Sequence, residues 1–418
     1  VAWRRIDLTR DRLRAHVQAL RCGLDQAEWI GETKPARCFD LIGRFAEGPN
    51  LPFATDQAHD LYRQLIQPFD AIIAGRKLLV IGSDALSRLP LQILLTEAVS
   101  DDSIETLRRA PWLVRRHAIT DLPSVSSFAI LRRERAGTTN WSTIGARPQM
   151  PYLAVANPLL LGADGRNRTA FAVNACPPAS VQPAPKIVAS AVGTLNGYFR
   201  GGGGNVARLR RLEPLPETAA EVCSVARDLG VALDNVLLGK AATEAVIREI
   251  NARDNGLERY RIIHFATHGL VSGEVRGIAE PALVLSPPDK AMPHDDGILT
   301  ASEVAELKLD AEWVILSACN TAAGTGYGSD ALSGLARSFF YAGARSLLVS
   351  HWPVRSDAAV ALTTRAIARL KQNRAIGRSV AMQQAMLSVI ADRSIIGASH
   401  PQVWAPFVVV GEGASGSR

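Results

Sequence analysis

The chain has no apolar run approaching the roughly 18 residues needed to cross a bilayer, so no membrane-embedded role is expected of it. Its five cysteines, Cys22, Cys38, Cys176, Cys223 and Cys319, are few, odd in number and scattered. No Cys-x-x-Cys pair or Cys/His cluster occurs. Neither a zinc site nor a disulfide framework is therefore expected, and a reducing cytoplasm is the best fit. Lys is scarce, and Arg carries nearly all of the basic charge. The net charge of +7 and pI of about 9.4 would suit nucleic acid, but the Arg residues run along the whole length. The short clusters Arg208-Leu-Arg-Arg211 and Arg132-Arg133-Glu-Arg135 lack the interleaved aromatics of single-strand binders, so direct nucleic-acid binding is not expected. No repeat of roughly 20–50 residues is visible. The first residue is Val, so the lack of a signal peptide decides nothing.

What is present is an ordinary globular composition, 47% apolar and 21% charged. The length suits two to three domains or one large α/β unit. Residues 1–150 read as an accessory α/β region. It has helices from Leu8 to about Leu20 and from Asp56 to about Pro68, and a strand at Lys77-Leu-Leu-Val-Ile81. An extended stretch from Trp112 to Pro123 follows, then a helix from Ser124 through Leu131 and a linker over 134–150. Residues 151–418 alternate strand and helix, with an irregular insertion at about 158–212. The strands are 152–156, 235–238, 261–266, 313–318, 345–350 and 407–410. Helices are expected from Pro216 to Leu229 with Gly230 as stop, from the cap Thr243 to Ala252, from Ser333 to Tyr341, and from Ser356 to Leu370. Such alternation implies a mostly parallel sheet with helices on both faces. The strand at 78–81 should form a separate sheet or extend this one.

Two of these strands stop at reactive side chains. Arg261-Ile-Ile-His-Phe-Ala-Thr-His-Gly269 delivers His268, and Trp313-Val-Ile-Leu-Ser-Ala-Cys-Asn-Thr321 delivers Cys319. Chemistry in parallel α/β sheets sits beyond the carboxyl ends of strands, so a base and a thiol would meet there. A free thiol is little ionised near neutrality, and an imidazole supplies the missing activation. A tetrahedral oxyanion needs two donors, for which the N–H groups of Gly269 and Cys319 are placed. His264, four residues before His268, has no third ligand near it and reads as a packed core histidine. The glycine-rich stretches 201–204 and 324–328 lack the features of a nucleotide loop. Neither a cofactor nor a metal is implied.

Taken with Gly334-Leu-Ala-Arg-Ser-Phe-Phe-Tyr-Ala-Gly343 and Val349-Ser-His-Trp-Pro-Val354, these blocks resemble the CHAT domain. This caspase-like domain is often attached to tetratricopeptide repeats in bacteria, and it shares a clan with caspases, separases and gingipains. The separation of His268 and Cys319, about 50 residues, also agrees with caspases. The caspase block Gln-Ala-Cys-x-Gly is absent, so a preference for acidic residues is not carried over. The resemblance implies a three-layer caspase-like α/β fold whose N-terminal half resembles a pseudo-protease. It implies a cysteine endopeptidase with His268 as base and Cys319 as nucleophile, acting on a protein or peptide under the control of attached repeats or an activating partner. A non-catalytic scaffold and a non-peptidase thiol hydrolase remain open. Candidates for the substrate pocket are Asp357, where the resemblance also puts an acid, Asp330 after the nucleophile, and His351 with Trp352 at a strand end. Asp357 could equally cap the helix that starts there, as could Ser356.

Overall fold

The computed structural model describes residues 2–30, 32–46, 50–82, 84–124, 151–162, 175–177, 206–270, 280–292, 295–317 and 334–413. The helix expected over 125–131, the linker 134–150, most of the insertion, both glycine-rich stretches, Cys319 and Asp330 lie outside these residues.

Eleven strands carry the frame among the described residues: β1 (Leu78–Val80), β2 (Ile119–Asp121), β3 (Tyr152–Pro158), β4 (Val236–Gly239), β5 (Ile262–Ala266), β6 (Gly269–Leu270), β7 (Ala282–Val284), β8 (Ile298–Thr300), β9 (Trp313–Leu316), β10 (Ser346–Ser350) and β11 (Phe407–Gly411). The main helices are α1 (Arg10–Cys22), α2 (Lys34–Ile42), α3 (Thr55–Leu65), α4 (Pro216–Leu229), α5 (Glu244–Ala252), α6 (Gly334–Tyr341), α7 (Ser356–Gln372) and α8 (Arg378–Ala391). Eight strands form one sheet in the order β1-β2-β11-β10-β9-β5-β3-β4, and β6-β7-β8 form a small second sheet. The block β10-β9-β5-β3-β4 is parallel throughout. β11 runs antiparallel to β10, and β2 and β1 continue parallel to β11.

The expected three-layer α/β sandwich with a mostly parallel sheet is therefore what this chain forms. Its central strands read as unbroken apolar runs because both faces are covered. On β5, Ile262 and Ala266 enter the larger core cluster, while Ile263 and Phe265 enter the other. The larger cluster joins residues of α1, α3, α4, α7 and α8, from Val17 to Val409. The smaller lies under α5 and α6. The strand at 78–80 extends the main sheet through β2. The helix α8 was not expected, and neither was the antiparallel setting of β11.

Local chemistry explains several boundaries. Thr243 Oγ1 accepts from Val246 N at 3.2 Å and starts α5. Gly230 ends α4 at φ 71°. After α6, Gly343 turns at φ 107°, and a Cβ there would lie 2.1 Å from the Leu309 carbonyl oxygen, so no other residue fits without moving backbone.

The cysteine reading needs correction. Cys22 and Cys38 form a disulfide, and so do Cys176 and Cys223. The helix α2 folds back on α1, which brings Cα atoms 16 residues apart in sequence to 5.7 Å. The second pair, 47 residues apart, has a Cα separation of 5.6 Å. Both separations suit a disulfide, and neither follows from a spacing pattern. Beside the first bridge, Arg21 is buried in ion pairs with Asp25 (2.6 Å) and Glu28 (3.4 Å). Its Nη1 also donates to the carbonyls of Arg88 (3.2 Å) and His351 (3.4 Å), tying α1 to the end of β10.

Candidate active site

In a parallel α/β sheet a crevice is expected beyond the carboxyl ends of the strands, here those of β3, β5, β9 and β10. β5 and β9 pair in register through Phe265 and Leu316, and Ser317 N donates to Phe265 O at 3.1 Å. His268 lies two residues past β5 and is 2% exposed. Its Nε2 is 2.8 Å from the carbonyl oxygen of Glu213. A carbonyl only accepts, so Nε2 carries a proton. The carbonyl of His268 accepts from Val284 N at 2.9 Å, and Gly269 opens β6 against β7. These contacts fix the turn between the two sheets and hold the imidazole at the strand end.

The helix α4 is common to three parts of this crevice. Just before it, Glu213 supplies the carbonyl for His268. In its first turn, Glu217 accepts from Ser356 Oγ at 3.0 Å. One turn on, Glu221 Oε1 lies 3.2 Å from Nε2 of His264. None of these three Glu was singled out in the sequence. Their signal is Glu217 and Glu221, four residues apart on a helix whose same stretch is otherwise buried and small.

The remaining candidates fall in different places. Asp357 is held by both nitrogens of Arg355, with Nε–Oδ1 at 3.0 Å and Nη2–Oδ2 at 2.6 Å. Its Oδ1 also accepts from Ala358 N at 3.0 Å. The acid is thus a bidentate ion-pair partner as well as a helix-terminus acceptor. Ser356 is not the cap: it is the first helical residue, and its hydroxyl is turned to Glu217. Trp352 is buried in the larger core cluster, with Nε1 donating to Gln402 O at 3.0 Å. His351 lines a cavity of about 80 Å³ together with Asp121, Leu89 and Val408. His264 is fully buried, as expected of a core histidine. Among the described residues, no group of three or more His, Cys, Asp or Glu could hold a metal ion, and no helix is long and apolar enough to cross a membrane.

His351 makes a testable contribution to acid stability. Neither ring nitrogen has a hydrogen-bond partner among the described residues. Burial, aided by the guanidinium groups of Arg21 and Arg88, pushes its pKa down to about 3. Between about 6.5 and 3 the unfolded chain takes up a proton that the folded chain refuses. Stability should therefore fall with pH in that window by up to ~1.4 kcal/mol per unit from this residue. Urea unfolding at pH 7, 6 and 5 should show a shallower decline for His351→Leu than for the wild type. Equal declines would assign the acid sensitivity elsewhere.

Comparison with known proteins places this arrangement. The sequence matches the CHAT domain family over residues 55–412. Tetratricopeptide repeat protein 28 of Mus musculus is 25% identical over 228 residues, and its Homo sapiens counterpart 26% over 232; each match covers 47% of this chain. The matched parts span only 9% and 8% of those proteins. Among solved structures, separase in the Saccharomyces cerevisiae separase–securin complex is similar over 80% of this chain and 15% of its own, at 11% identity and a TM-score of 0.38. The Arg-specific cysteine proteinase gingipain R is similar over 46% of this chain and 40% of its own, at 11% identity and a TM-score of 0.29. With most of its length matched, this chain belongs to the CHAT domain family.

Proposed function

We propose that the chain is a cysteine endopeptidase module in which Cys319 is the nucleophile and His268 its base. The observation that supports this most is the register of β5 and β9. Phe265 stands opposite Leu316, so the two strands that lead to His268 and to Cys319 are neighbours in the sheet. His268 is held by Glu213 so that Nδ1 takes the thiol proton. The thiolate attacks the scissile carbonyl, the N–H groups of Gly269 and Cys319 hold the oxyanion, and protonated His268 gives its proton to the departing amine. Water then hydrolyses the acyl-enzyme with His268 again as base.

The primary pocket is proposed to use Asp357. Its carboxylate is already paired with the guanidinium of Arg355, so a substrate Arg could form the same bidentate pair only in exchange for it. A substrate Arg would displace Arg355. Asp330 is a second acid for this role, and His351 and Trp352 act as supports of the strand end. The curated relatives are named for tetratricopeptide repeats, and such repeats are the proposed regulators. The division at residue 150 into an N-terminal pseudo-protease-like region and a catalytic region is likewise part of this reading.

A peptidyl electrophile with Arg before its reactive group tests these points together. Its mass should appear on Cys319 and be absent from Cys319→Ala. Equal labelling rates with Ala or Met in place of Arg would remove Asp357 from specificity. A folded chain that no such probe labels would be a scaffold rather than a peptidase.

A further inference from the structure

Beneath the crevice lies a polar chain that the dyad does not use. His264 is fully buried on β5. Its Nδ1 is 2.9 Å from the hydroxyl of Tyr152 on β3, and its Nε2 is 3.0 Å from Ser317 Oγ at the end of β9. The same Nε2 is 3.2 Å from Glu221 Oε1 on α4. Thr363 Oγ1 on α7 lies 3.4 Å from that Glu221 oxygen, while its proton goes to Ala359 O at 2.7 Å. Tyr152, Ser317 and Glu221 thus meet at one imidazole. The ends of the chain set the proton order. The Glu221 carboxylate accepts, so Nε2 bears the hydrogen that it and Ser317 share. Burial and the neighbouring Glu221 raise the Tyr152 pKa well above its usual value, so the phenol keeps its proton and donates to Nδ1. Buried hydrogen bonds of this kind rigidify the elements that they join.

Ser317 is where this rigidity reaches the surface. It is partly exposed, it directly follows β9, and it stands two residues before Cys319. Its backbone N–H is fixed to Phe265 O and its side chain to His264. Backbone and side chain are therefore both tied to β5, the strand that leads to His268. A plain core histidine would need partners somewhere, but not one two residues before the proposed nucleophile.

We propose that His264 is a positioning residue: through Ser317 it anchors the chain two residues before Cys319, and so steadies the thiol for its reaction with His268. The inference rests on the peptidase reading above. A misplacement of about 1 Å between reacting groups can cost on the order of 10²-fold in rate, so a lost tether should lower kcat and leave KM nearly untouched.

Two substitutions separate positioning from packing. His264→Gln places an amide nitrogen near the position of Nε2, whereas His264→Asn reaches only that of Nδ1. Both are shorter than imidazole in bulk and polar, so a packing role predicts similar effects. The positioning role predicts a kcat about tenfold or more lower for His264→Asn, and for Ser317→Ala, with KM within about twofold and thermal midpoints within a few degrees of wild type. His264→Gln should recover most of the kcat. Equal kcat in His264→Asn and wild type would overturn the proposal. So would losses in Asn and Gln variants that track their thermal midpoints. If the wild type shows no Cys319-dependent hydrolysis, the peptidase reading itself fails; if hydrolysis persists and only the tether variants are silent, the positioning role alone is removed.

Discussion

Cys319→Ala should reduce peptide hydrolysis by about 10³-fold or more, and His268→Ala should do nearly the same. The two groups act as a unit: an imidazole without the thiol has no nucleophile to serve, and the thiol without the imidazole is mostly protonated at neutral pH. The double variant should therefore be no slower than the worse single one. The substitutions differ in their structural cost. His268 is buried and bonded to Glu213, so His268→Ala also leaves that carbonyl without its donor. His268→Gln is the gentler control, and it should be equally inactive while unfolding near the wild-type temperature. Initial rates on a fluorogenic peptide with Arg before the scissile bond measure the wild type and all four variants. An active Cys319→Ala would end the peptidase reading.

The second large effect concerns the disulfides. Chain denatured without reductant should expose one reactive thiol, that of Cys319, and five after reduction. Replacing Cys22 and Cys38 together by Ala should cost about 3 kcal/mol of stability, from the loop of this length that the bridge closes in the unfolded chain. It should also lower activity, because α1 carries Arg21, whose guanidinium holds the His351 carbonyl at the end of β10. Five free thiols in the oxidised protein would refute both bridges. Disulfides form and persist in oxidising surroundings, so the pairs remove the ground on which a reducing cytoplasm was expected.

The strands β3, β5, β9, β10 and β11 were legible because each is a continuous apolar run, the mark of burial on two faces. The helices α4 and α5 were legible through Gly230 and Thr243. The sites of His268 and Gly269 followed from the abrupt stop of β5. Other features are properties of the folded chain alone. The apolar residues of α8, including Met382, Met386, Val389 and Ile390, are mixed among polar ones too evenly to mark one clear stripe. The bridge Cys22–Cys38 exists because α2 doubles back. The contact between Glu221 and His264 joins residues from different elements, and nothing near either one names the other. The pairing of Arg355 with Asp357 was open to sequence reasoning, since the two stand two residues apart, but only coordinates show the guanidinium turned inward.

The sheet order also governs how the chain may be cut. β11, near the carboxyl end, has β10 on one side and β2, from the first third of the chain, on the other. Gln92 adds a side-chain donor to the Phe407 carbonyl at 2.9 Å. A fragment beginning at residue 151 would lose β1, β2 and Gln92 together. It would then bare the flank of Phe407-Val-Val-Val410, a β-branched row with no charge, Pro or bulge to discourage pairing with a second molecule. Such a fragment should oligomerise through this flank, so the natural unit for expression retains the amino-terminal strands as a built-in guard against self-association.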